Sequence, residues 1–264
     1  MIALPGFADL LARLLDHRGL TPADLARRTE AAEPEAAGPE PAAGPGVAEA
    51  EVAALLAGAA PEPALLRRLG PALGLDAADL FQLAALPLPE DLAPAGGMAT
   101  TTITGVVRFA LALPPAARAE LRSRVAELPP ARHRGRIEGL PASVPDRHTP
   151  GNLVMRMVAT RNLGWNGTAK AVQLLTGHSR MATVYGRIAS GEAELTADLV
   201  TDLAIVLALP AADLAAVVGL PLPADAAAPS GAVTDAALLL RDLRCLGVEQ
   251  LREAEDLARS LSPA

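Results

Sequence analysis

The sequence predicts an all-α protein of two tandem, pseudo-repeated helical domains, each followed by a helical arm. Three observations carry this expectation. Hydrophobic residues make up 51% of the 264, yet only three Phe, one Trp and one Tyr are among them, so Ala, Leu and Val dominate. Ala and Leu favour helix. Runs of β-branched residues alternating with polar ones are nearly absent, while 24 Pro and 22 Gly cut the chain into short segments. The third observation is that the chain is written twice. Leu73–Pro89 (LGLDAADLFQLAALPLP) aligns without gaps on Leu207–Pro223 (LALPAADLAAVVGLPLP), identical at ten of 17 positions. Ala and Leu matches are cheap in this composition, so Asp79/Asp213 and the shared Pro-Leu-Pro endings carry the weight.

Two further pairings flank that one. Leu10–Leu20 matches Leu153–Leu163, with Arg13 opposite Arg156 and Arg18 opposite Arg161. Ile103–Leu128 runs parallel to Val233–Ala258, with Leu121-Arg122 opposite Leu251-Arg252. The pairings fall in chain order, as a duplication followed by small deletions produces.

The elements follow in sequence. The first domain is 1–130. It opens with a Leu-rich helix, and a second helix begins at Thr21-x3-Leu25-Ala26. Glu30–Gly46 is acidic and full of helix breakers, so a disordered or extended insert (30–46) is expected. Val47–Leu56 is the next helix, and an amphipathic arm covers 103–128. A basic, Pro-rich linker (131–150) carries Arg132, His133, Arg134, Arg136, Arg147 and His148. The second domain is 151–264. Its helices include Arg180–Ala189, Ala197–Leu207 and Ala211–Gly219, and its arm covers 233–261. In that arm Leu239, Leu243, Leu246 and Leu257 form an apolar stripe that must pack on its own domain or on a twofold partner.

Several classes of function are disfavoured. Cys245 is the single cysteine, so an intrachain disulfide and a thiolate cluster are excluded, and a reducing cytoplasm is the simplest compartment. Asp9 and Arg13 interrupt the apolar N-terminus before a signal-peptide core can form. The longest apolar run, around Leu203–Leu222, contains Asp213, Pro210 and Pro221, which argues against a membrane span. No Gly-x-Ser-x-Gly, His-Glu-x-x-His or Gly-x-Gly-x-x-Gly pattern is present. His17, His133, His148 and His178 lack metal-ligand spacing. The expectation is therefore no enzyme, no catalytic residue, no metal and no cofactor.

Charge distribution points elsewhere. The net charge is −7, yet residues 151–191 hold five basic side chains (Arg156, Arg161, Lys170, Arg180, Arg187) and no acidic one. A basic stretch in an acidic chain suggests a polyanion-binding surface. Residues 1–58 show the reverse balance, four basic side chains against nine acidic.

Thr168-x3-Val172-x4-Gly177-His178-Ser179 resembles the helix-turn-helix of the Cro/repressor (Xre-type) family. The resemblance covers about 70 residues of the second half and, more weakly, the same span of the first. It implies two lambda-repressor-like helix-turn-helix domains and a transcriptional regulator that reads double-stranded DNA. Thr168 is expected to cap the first helix of the motif, Gly177 to end it with positive φ, and Ser179 to cap the second. On that second helix Met181, Val184 and Ile188 share a narrow arc and are expected in the core. Ser179, Arg180, Thr183 and Arg187 are then the candidate DNA-reading residues. Arg161 and Lys170 are the candidate phosphate contacts. Trp165, Asn166 and Tyr185 are further candidates for touching DNA, although filling gaps in an aromatic-poor core is the stronger reading for the two aromatics.

The first copy reads differently. Its turn Gly is replaced by Glu30, and its second helix carries Glu49 and Glu51, which phosphate would repel. It is expected to serve interaction rather than DNA reading, with an acidic surface for a protein partner. One reader per chain implies a homodimer on a palindromic site. The alternative is a non-DNA-binding adaptor or anti-regulator that uses the duplicated fold for protein–protein interaction.

Overall fold

The computed structural model describes residues 4–31, 46–96, 100–131, 149–222 and 228–262. Most of the expected acidic insert and most of the linker lie outside them. The described residues are all-α, without a strand. In the first half the helices are α1 (Phe7–Arg18), α2 (Pro22–Ala31), α3 (Glu49–Leu56), α4 (Pro63–Leu73), α5 (Ala77–Leu83), α6 (Thr100–Ala112) and α7 (Pro115–Glu127). The second half supplies α8 (Pro150–Ala159), α9 (Trp165–Thr176), α10 (Ala182–Ala189), α11 (Ala197–Leu207), α12 (Ala211–Val218), α13 (Gly231–Asp242) and α14 (Val248–Ser260).

Local chemistry accounts for the boundaries. Thr149, Thr196 and Ser230 accept from the backbone N–H three residues on, and Asp76 from that of Ala78, which caps α8, α11, α13 and α5. Pro114-Pro115 breaks the first expected arm into α6 and α7. A 3₁₀ turn at Leu243–Cys245, followed by Gly247, breaks the second into α13 and α14.

The sequence pairings reappear as pairs of backbone conformations. Among the described residues three that are not glycine have positive φ: Ala85 (53°), Asn162 (59°) and Ala208 (57°). Their sequence-matched positions are Gly219 (71°), Gly19 (61°) and Gly74 (59°). Each matched pair ends a helix in the left-handed conformation, with glycine in one half and a residue carrying Cβ in the other.

The packing has the same reciprocity. Within the first half α2 packs on α3 and α4, α4 on α5, and α1 on α3. Within the second, α9 packs on α10 and α11, α11 on α12, and α8 on α10. Across the halves α1 packs on α12 while α8 packs on α5. Of the arms, α6 packs on α14, α7 on α13, and α6 meets α13. The stripe residues Leu239, Leu243 and Leu246 are buried. One continuous apolar core runs through both halves. The arms thus find their partners inside the chain, in each other and in the second half's bundle, with α6 also packed on α9 and α13 on α11.

Ion pairs lock the seam. Arg161 is wholly buried. Its Nη1 and Nη2 donate to Asp79 Oδ1 and Oδ2 at 2.9 and 2.6 Å, and Nη2 also reaches the Leu207 carbonyl at 2.9 Å. The matched Arg18 donates from Nε and Nη2 to Asp213 Oδ1 and Oδ2 at 3.1 and 2.7 Å, and from Nη1 to the Leu73 carbonyl at 2.8 Å. Each arginine caps the fourth helix of its own five and takes a carboxylate from the other half. Between the arms, Arg118 pairs with Asp235 at 2.8 Å and Arg122 with Asp242 at 3.0 Å.

Candidate nucleic-acid interface

The segment expected to form a helix–turn–helix comprises α9, the turn 177–181 and α10. Helix α9 begins at Trp165, earlier than expected. Thr168 therefore lies inside the helix, buried, with Oγ1 donating to the Gly164 carbonyl at 3.0 Å rather than capping. Thr21, which follows Leu20 as Gly164 follows its matched Leu163, does sit at a helix start. Asp24 N donates to Thr21 Oγ1 at 3.1 Å, and Thr21 N donates back to Asp24 Oδ2 at 2.9 Å. Gly177 ends α9 with φ 78°, as its type predicts.

Helix α10 starts at Ala182, with Met181 at its N-cap. Ser179 is exposed in the turn and does not cap it. Moving the start to Ala182 also moves Met181 off the core arc, and it is 74% exposed. Ile188 and Tyr185 take the core positions, with Val184 half-buried. Helices α8 and α10 approach closely. A Cβ on Gly151 would stand 2.7 Å from Ile188 Cγ2, and Asn152 Nδ2 donates to the Ala189 carbonyl at 2.9 Å.

The five basic residues divide sharply. Arg161 is in the core and has no access to a phosphate, which corrects its expected role. The geometric reason is that its side chain crosses the seam to Asp79. Arg156 Nε donates to Gln82 Oε1 at 2.8 Å. Arg180 is half-buried, with Nη2 3.6 Å from Asp202 Oδ2. Lys170 and Arg187 are exposed. Neither has an ion pair among the described residues. Asn166 is exposed at the start of α9, and Thr183 is exposed on α10 one turn before Arg187.

The aromatic candidates face inward. Tyr185 is fully buried, which removes it from any DNA surface. Burial, assisted by the neighbouring Asp202 carboxylate, pushes its hydroxyl pKa up. Trp165 is half-buried against α10, where a Cβ on Gly186 would lie 3.4 Å from Trp165 Nε1.

One residue packed against this unit was not singled out from sequence. Asp202 on α11 is 1% exposed, and its Oδ1 lies 2.7 Å from His178 Nδ1. The same carboxylate faces Arg180, so it ties down both sides of Ser179. Its local sequence, an acid in an apolar helix, was the available signal.

The matched unit of the first half is α2 with α3. Glu51 accepts from Ala48 N at 2.8 Å and pairs with Arg68 at 3.0 Å, so it serves the start of α3. Glu49 is exposed. Among the described residues no helix is long and apolar enough to cross a membrane. No protein-family model, characterised protein or solved structure matches the chain.

Proposed function

We propose that the chain is a sequence-specific DNA-binding transcriptional regulator with one reading head, the α9–turn–α10 unit. The observation that carries this reading is that Lys170, Ser179, Thr183 and Arg187 of that unit are each exposed, with no acidic side chain between residues 151 and 191. Arg187 and Thr183 address base edges in the major groove, Arg180 lies beside them, and Lys170 holds a phosphate. The two groups of five helices are read as tandem helix-turn-helix domains of lambda-repressor-like type. The first, with Glu49 and Glu51 at the start of α3, stands where a second subunit stands in a homodimer. The reading head then meets one half-site per chain, and a palindrome requires two chains.

A second reading has its own support. Arg156, Arg161 and Arg180 are engaged within the molecule, which leaves Lys170 and Arg187 as the free cations of the stretch. That economy suits an adaptor or anti-regulator that binds protein through the acidic first half.

Salt separates the two readings. Selection of bound fragments from a genomic duplex library, with the full chain and with its Lys170→Ala/Arg187→Ala variant, is the test. The DNA reading expects one enriched motif for the wild type and none for the variant, with helical circular dichroism unchanged. Affinity for that motif should fall with a log–log salt slope of about −1 to −2 per chain, since each phosphate contact contributes about −0.9 and Lys170, with Arg180 nearby, offers one or two. No enrichment at low salt overturns the DNA reading in favour of the adaptor.

A further inference from the structure

Met181 is the large apolar side chain most exposed among the described residues, at 74%, against 40% for Val248. It occupies the N-cap of α10 with φ −66° and ψ 140°. Its position is not a loose loop tip. The turn before it is held at Gly177 by the left-handed backbone, at His178 by the 2.7 Å contact to Asp202, and at Arg180 by the 3.6 Å approach to the same buried carboxylate. Backbone bonding continues the hold, since Val184 N donates to the Met181 carbonyl at 3.0 Å. A rigid mount therefore presents an unbranched, polarizable side chain to water.

Its surroundings identify the partner. Ser179 and Thr183 flank it, both exposed, and Arg187 lies further along α10. Among the described residues Val248, on α14, is the only other exposed large apolar side chain, so Met181 is not part of a cluster of such side chains as a protein-docking site would be. One projecting apolar group among polar and cationic neighbours fits a small apolar target in a polar groove. In DNA the major groove offers such a target, the thymine C5 methyl. Resting on the DNA reading above, we propose that Met181 is a specificity-determining residue that packs on a thymine methyl at the base pair facing the start of α10. The Asp202 clamp holds it there.

The experiment uses the full chain and the site selected by it. Each thymine of that site is replaced in turn by deoxyuridine, which removes only the methyl. Wild type is expected to lose about fourfold in affinity at one position, the effect of one buried methyl. Met181→Ala should bind the thymine and uracil duplexes equally at that position and keep its response elsewhere. Met181→Leu should retain part of the discrimination. A uracil profile that is flat in wild type, or unchanged in Met181→Ala, overturns the assignment and leaves the DNA reading standing. A wild-type chain that selects no sequence overturns both.

Discussion

Arg161 reaches across the molecule to Asp79 and meets both carboxylate oxygens, with neither side chain touching solvent. Arg18 repeats the arrangement on Asp213, closer to the surface, with side chains 19% and 9% exposed. Burial pushes the Asp79 carboxyl up, against the pull of Arg161. A pair of this kind costs desolvation on both sides, so its net worth against an apolar replacement is small. Its loss on one side is expensive, because the remaining charge is stranded in the core.

Truncating Asp79 should therefore destabilise the chain far more than truncating Asp213. Asp79→Ala is expected to cost about 3–5 kcal/mol, the range for breaking a buried pair. Asp213→Ala should cost about half as much, because water can reach Arg18. Urea unfolding of the two variants decides this, and equal costs would show that the two seams are equivalent in depth.

Left-handed backbone at alanine offers a gain of stability. Ala85 and Ala208 hold φ near the values of their matched glycines, and neither is buried. Replacing either by Gly removes Cβ strain of about 1–2 kcal/mol, offset in part by greater freedom in the unfolded chain. Each variant should gain about 0.5–1 kcal/mol. The reverse change, Gly219→Ala, should lose about 1 kcal/mol, since it places a Cβ at φ 71°. Thermal melts that show Ala208→Gly destabilised would refute the strain argument.

Acid should loosen the contact between α5 and the second arm. Burial works to raise the Asp76 carboxyl, but Arg244, with Arg161 and Arg241, outweighs it and holds the value at about 2, below the ordinary 3.8. A carboxyl depressed on folding stabilises above its unfolded pKa and loses that contribution as pH falls through the folded one. The window is thus pH 4 down to 2, and the contribution at neutral pH is about 2 kcal/mol. Asp79 works in the opposite sense, so the whole-protein curve mixes the two. Asp76→Asn keeps an acceptor for Ala78 N and isolates the effect. The stability gap between wild type and this variant should widen between pH 2 and 5, and a constant gap would contradict the assignment.

The sequence disclosed the all-helical character and the bounds of a few helices, because Ala/Leu composition, Pro, Gly and capping residues act locally. Helix α11 falls at the expected 197–207 and α12 begins at Ala211. It also displayed Arg18/Arg161 and Asp79/Asp213 as matched positions. It did not show that the arginine of one half meets the aspartate of the other. That fact depends on how the halves dock, and two kinds of charge at matched positions of an apolar sequence were its only trace. The basic stretch misled for the same reason. Charge counted along the chain takes no account of partners distant in sequence, and Arg161 and Arg156 have theirs in the first half. The start of α10 was misplaced because Ser179 is a good cap by type, while the backbone places Met181 there.

In a symmetric homodimer every substitution is made twice, once in each subunit. Joining the two sides of the Arg18–Asp213 and Arg161–Asp79 seam in one chain lifts that constraint. One side can change while the other is left as it was. Helix α3 opens with Glu49 and Glu51, α10 carries Thr183 and Arg187, and a single mutation in either has no echo across the axis. The seam joins two faces that each carry their own chemistry, a liberty that identical subunits lack.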